Sequence, residues 1–212
     1  MPDPVTPRKR GPQALAARND QALIEAARHV FTTLGFDAPV SAVAEYAGVG
    51  MGSLYRRYRT KQELLQQLCV DSMERVAAAA RAGLAHEDPW QGLASYIRQC
   101  VAFGFGILAP LAGAIDVTPE MRQANQQAQH LADELTARAH RAGVLRTDVT
   151  TMDISLLIGQ FSRTTPPPPG HSEEEIRSRL LAIALDGLKV HSNDPLPGKP
   201  PNAERYQALW DT

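Results

Sequence analysis

Residues Ala44 to Lys61 read AEYAGVGMGSLYRRYRTK. Ala44 is small, Gly48 follows four positions later and Leu54 ten positions later. Each meets a steric need of two short helices that cross steeply through a tight turn. A small side chain lets the helices touch, and glycine takes the positive φ of the turn. Leu54 then fills the space beneath, together with Val43 and Val49. The second helix carries Ser53, Tyr55, Arg56, Arg57 and Tyr58, whose hydroxyl and guanidinium groups suit phosphates and base edges. The pattern predicts a helix-turn-helix.

The flanking sequence extends this into an all-α chain. A first helix is expected over Asn19–Leu34, with Leu23, Ala27, Val30, Phe31 and Leu34 as one apolar stripe and Gly35 as its stop. Short helices follow over Val40–Ala47 and Met51–Tyr58. Thr60-Lys61-Gln62-Glu63 forms a capping box that starts a long helix reaching Leu84. Asp88-Pro89 caps the next helix, which carries Trp90, Leu93, Ala94, Ile97, Val101 and Leu108 as its stripe and ends near Pro110. Thr118-Pro119 opens another, closed by Gly143, with Met121, Ala128, Leu131 and Leu135 facing inward. A helix over Thr150–Ser162 precedes TTPPPPG, residues 164–170, an extended connector that proline keeps from being helical. Ser172-Glu173-Glu174-Glu175 is a second capping box. It starts a helix to Val190 with Ile176, Leu180, Ile183, Ala184, Gly187 and Leu188 on one face, and a short helix is expected near Ala203–Trp210.

Composition bounds the function classes. The 212 residues and 43% hydrophobic content suffice for a core without staples. The net charge of −1 conceals an asymmetry. Residues 1–61 hold nine Lys/Arg against five acids, net +4, and the remainder is net −5. A basic head on an acidic body suits a polyanion at one end. MPDPVTPRKRGP is followed by no apolar run and is not expected to be a signal peptide. The most apolar window, Val101–Ile115, is too short to span a bilayer and is broken by Gly104, Gly106 and Pro110. A soluble, cytoplasmic protein is expected. Cys69 and Cys100 sit in apolar helical patterns without a CxxC or Cys/His cluster and read as buried thiols. The six histidines make no metal spacing, and no nucleophile elbow, Ser/His/Asp order or phosphate loop is present. Neither an enzyme nor a cofactor or metal site is expected.

Residues 18–69 resemble the DNA-binding domain of the TetR family of bacterial transcriptional regulators. An amphipathic helix ends in Leu-Gly-Phe, and VAEYAGVGMGSLYRRYRTKQELL is similar to the family's IA-x-x-AGV-x-x-GTLY-x-HF-x-x-K-x-x-LL signature. GVLRTDV and RSRLLAIALDGL look family-like in the remainder. Three departures stand out: Gly50 replaces a Ser or Thr N-cap, Arg57 a His and Tyr58 a Phe.

The resemblance implies an N-terminal three-helix helix-turn-helix DNA-binding domain over 18–62 and a C-terminal helical ligand-binding and dimerisation domain over 63–190. A basic arm, 1–17, and a tail, 191–212, flank them. It implies a homodimer, a palindromic double-stranded DNA operator, and repression relieved by a small-molecule effector. The DNA-contacting positions carry over to Met51, Gly52, Ser53, Tyr55, Arg56, Arg57 and Lys61, with Ser41 at the start of the second helix. Lys61 lies in a first helical turn, where the macrodipole favours phosphate. Arg56 or Arg57 can read guanine through O6 and N7. Arg8, Lys9 and Arg10 are either a solubilising tail or a minor-groove arm. Tyr58 is expected in the core or at a domain boundary.

Val101–Pro110 admits two readings, ordinary core or the wall of a cavity. Trp90, Tyr96, Arg98, Phe103, Phe105, Met121 and Asn125 are the candidate ligand contacts, with Arg98 facing either an acidic ligand or a neighbouring acid. The last two helices, with Gly159 and Gly187 for close approach, are assigned to a four-helix dimer interface. Two rivals share these features. One is an activator or ligand-independent regulator. The other is a helical enzyme or dimerisation module with a non-functional head.

Overall fold

A computed structural model describes residues 12–111, 114–163, 167, 170–190 and 194–202, and the side chains of all of these except 12–19, 107, 109 and 110. The expected arm with Arg8, Lys9 and Arg10, most of the TTPPPPG connector and the short helix at 203–210 lie outside them. The described residues form eight α-helices: α1 Pro12–Leu34, α2 Val40–Tyr46, α3 Met51–Arg57, α4 Lys61–Ala85, α5 Pro89–Ala102, α6 Pro119–Arg141, α7 Thr151–Phe161 and α8 Glu173–Gly187. A 3-10 segment, Phe105–Leu111, lies between α5 and α6. The all-α expectation holds, and one isolated β-bridge pairs Leu145 with Lys189. The chain divides into two compact units, residues 1–68 and 69–212, with the division inside α4.

The first unit is built around Leu54, which is fully buried with Val43 and Ala44 of α2. Leu23, Ala27, Val30 and Phe31 of α1 and Leu64 and Leu68 of α4 complete its core. Gly48 makes the turn possible at φ 66°, where any side chain would be strained. Its backbone closes on α2, with Gly48 N donating to Glu45 O at 3.1 Å and Val49 N to Ala44 O at 3.0 Å. Leu34 departs from the expected stripe. It is the last residue of α1 and is 62% exposed, at the rim of a surface groove that it shares with Ala42, Glu45 and Tyr46 of α2.

Caps fix the helix starts. Glu63 N donates to Thr60 Oγ1 at 3.0 Å, whereas the Glu63 carboxylate accepts from Arg59 N at 2.7 Å, so the return bond of the box reaches one residue further out. Asp88 accepts from Trp90 N and Gln91 N to start α5. Capping boxes at Thr150/Asp153 and Ser172/Glu175 start α7 and α8.

The second unit packs α5, α6 and α7 around Leu93, Ile97, Cys100, Leu135, Ile154 and Ile158, each at most 1% exposed. The α5 helix is shorter than its apolar stripe suggests. It stops at Ala102 because Gly104 turns the chain at φ 72°, and Leu108 reaches the core from the 3-10 segment instead. The α8 helix also ends early, at Gly187, because Leu188 O accepts from Arg146 N at 3.1 Å and Lys189 bridges to Leu145.

Candidate nucleic-acid interface and effector cavity

In the head, α3 begins at Gly50 without a side-chain cap and ends where Tyr58 N donates to Leu54 O at 2.8 Å. Tyr58 turns inward and is 8% exposed, which places it in the core. Burial of Leu54 and Tyr58 turns the other faces of α3 outward. Gly52, Ser53, Tyr55, Arg56 and Arg57 are exposed, as is Ser41 on α2, while Met51 is half-buried.

Within this surface the two arginines differ. Arg56 donates from Nη2 to Ser53 Oγ at 3.0 Å, three residues back on the same helical face. Arg57 donates from Nη2 to Asp20 Oδ2 of α1 in an ion pair. Lys61, half-buried at the start of α4, carries its ammonium 5.6 Å from the centre of the Phe31 ring. The sequence reading did not find Asp20. Its only sequence signal is that it is one of five acids in an otherwise basic head.

The second unit holds a cavity of about 370 Å³. One wall comes from Cys69 and Met73 of α4 with Val117 and Met121. The other is polar and follows α6 through Arg122, Asn125, Gln126, Gln129, His130 and Asp133. Gln129 donates to Asp133 Oδ1 at 3.0 Å. Met121 and Asn125 are the two expected ligand contacts found here.

The structure places the other five elsewhere. Tyr96 is buried against Cys100, and burial pushes its phenol well above the usual range, with Cys100 and Asp133 adding to the effect. Burial likewise pushes the Cys100 thiol up to about 12, against the opposing effect of its bond with Tyr96. Phe103 and Phe105 are half-buried and pack on the core. Trp90 also packs on the core and carries the Lys189 ammonium 5.3 Å from its ring centre. Arg98 is exposed. The polar wall has a legible signal that the sequence reading missed. Arg122, Asn125 or Gln126, Gln129 and Asp133 recur at helical spacing beside the apolar stripe.

On α8, Leu181 and Leu185 are buried, whereas Leu180 is 49% and Ile183 60% exposed. Gly187 is open to solvent, and Gly159 of α7 packs against Gly106 of its own chain. Among the described residues no helix is long and apolar enough to cross a membrane.

Comparison with known proteins accounts for both units. Residues 23–68 match the family model of bacterial regulatory proteins of the tetR family, and residues 88–190 match that of the SbtR-like transcriptional regulator C-terminal domain. A TetR transcription regulatory protein from Mycobacterium vanbaalenii is 31% identical, with a TM-score of 0.60 over 84% of this chain and 99% of that one. A TetR transcriptional regulator from Streptomyces coelicolor is 26% identical, with a TM-score of 0.59 over 82% and 99%. The ketosteroid transcriptional regulator KstR2 of Mycobacterium tuberculosis shares the fold at 19% identity, with a TM-score of 0.57 over 81% and 95%. No curated protein matches the chain. With its helix-turn-helix and its helical second unit both matched, the chain belongs to the TetR family of DNA-binding bacterial transcriptional regulators.

Proposed function

We propose that the protein is a homodimeric, cytoplasmic repressor released from a palindromic operator by a small molecule. The observation that carries the DNA reading is the outward face of α3. Buried Leu54 and Tyr58 anchor the helix, and Ser53 with Arg56 forms a pre-oriented polar pair on its surface. A guanidinium held by a neighbouring hydroxyl loses less freedom when it meets a guanine edge. Ser41, Gly52, Tyr55 and Lys61 would add phosphate contacts, with Met51 at the helix start.

Dimerisation is supported by α8, where Ile176, Leu180, Ile183, Ala184 and Gly187 recur at the spacing of one helical seam, and Leu180 and Ile183 are largely exposed. A two-fold axis through such a seam covers it. The two heads would then stand about 34–36 Å apart, one duplex turn.

The cavity beside α4 and α6 is the proposed effector site, with Met121 and Asn125 among its contacts. The α4 helix carries Lys61 in its first turn and Cys69 and Met73 further along. An effector that alters α4 therefore reaches a DNA-contacting residue through one helix. Release requires that the effector bind the DNA-free arrangement better than the bound one.

Arg56→Ala combined with Lys61→Ala tests the reading. Duplex affinity is expected to fall while sedimentation still reports the dimer. Unchanged affinity would overturn the proposal.

A further inference from the structure

Arg56 and Arg57 are neighbours on a helix, so their side chains leave it about 100° apart. Arg56 turns to Ser53 on α3 itself. Arg57 turns to Asp20, thirty-seven residues earlier on α1. The pair lies at the surface, with the Arg57 side chain 49% and that of Asp20 23% exposed. Exposed ion pairs add little to stability, so the fold does not depend on this one. Its consequence is electrostatic. A carboxylate stands against the recognition helix of a head that is otherwise basic, and it cancels one of the two adjacent guanidinium charges.

We propose that Asp20 is a positioning residue that sets specificity. With its carboxylate against Arg57, it offsets that cation's attraction for a phosphate and so limits sequence-independent binding. Phosphate neutralisation supplies essentially all of non-specific affinity and carries no sequence information. Weakening it while the Ser53–Arg56 pair stays on the outward face of α3 raises the ratio of specific to non-specific binding, the quantity that matters against a genome of competing sites. The inference rests on the DNA-binding reading of α3 given above.

The test is a salt titration of full-length protein on random-sequence duplex, followed by fluorescence anisotropy. Asp20→Asn is expected to tighten binding. It should also steepen the plot of log affinity against log salt by about 0.9 per head, roughly 1.8 per dimer. Asp20→Glu, which keeps the charge, should return the wild-type slope. In an Arg57→Ala background, Asp20→Asn should leave the slope unchanged, because no cation is freed. A slope unaltered by Asp20→Asn, or altered equally without Arg57, overturns the inference and leaves the DNA reading standing. Wild-type protein that binds no duplex even at low salt overturns both.

Discussion

Gly83 of α4 and Gly92 of α5 meet backbone to backbone. A β-carbon on Gly92 would lie 2.3 Å from the Gly83 carbonyl oxygen, and one on Gly83 would lie 2.7 Å from that of Gly92. Neither obstacle is the end of a flexible side chain, so the two helices cannot cross at this point with anything larger than glycine. Gly92→Ala is expected to lower stability by about 1–3 kcal/mol, the range for forced overpacking. The midpoint of urea unfolding measures it, and an unshifted midpoint would contradict this close crossing.

The same corner is held by Arg138 of α6, which donates to four carbonyls around the end of α4. They are Gly83 O at 3.2 Å, Leu84 O at 2.8 Å, His86 O at 2.5 Å and Glu87 O at 3.1 Å. The last carbonyls of a helix have no intrahelical donor, and the guanidinium supplies several at once. Arg138→Met should cost about 2–3 kcal/mol, read by thermal or urea unfolding. Arg138→Lys should recover only part of the loss, because a single ammonium lacks the planar fork.

The exposed row on α8 predicts the assembly state. Ile183→Asp, or Leu180→Asp on the same face, should leave the helical circular dichroism intact and shift sedimentation from dimer to monomer. A dimer unaffected by both substitutions would place the interface on another face.

Acid sensitivity is expected at the turn before α7. Arg146 holds Asp148 through two bonds, Nε at 3.0 Å and Nη2 at 2.9 Å, and Leu196 N adds a third at 2.8 Å. These bonds, the guanidinium first, keep the Asp148 carboxyl well below the usual aspartate range. A depressed pKa in the folded state stabilises at pH values above the unfolded-state value of about 3.9 and is lost as pH falls below it. The stability gap between wild type and Asp148→Asn should therefore be full at neutral pH and shrink in acid. Urea midpoints at neutral pH and near pH 3 measure the change. A gap independent of pH would contradict the pairing.

The head was legible in the sequence because its constraints are local and steric. Ala44, Gly48 and Leu54 must stand at fixed offsets for two short helices to cross, and their coincidence with the LYRRY run and the capping box at Thr60 marks the turn. The cavity was only half legible. Met121 and Asn125 line it, whereas Phe103 and Phe105 pack on the core, because aromatic residues beside glycines fit a core as well as a cavity wall. The amide-rich wall of α6 was visible as a stripe, yet which neighbour a polar stripe faces depends on packing. The Asp20–Arg57 pair had no pattern to betray it, since contacts between exposed side chains thirty-seven residues apart follow from the fold and not from spacing.

The central claim is that this head reads DNA as a two-fold pair. Selection of bound duplexes from a random pool by purified full-length protein tests it most directly. The expected result is recovery of a palindrome whose half-sites lie about one duplex turn apart. Recovery of no motif from a folded dimer would contradict it.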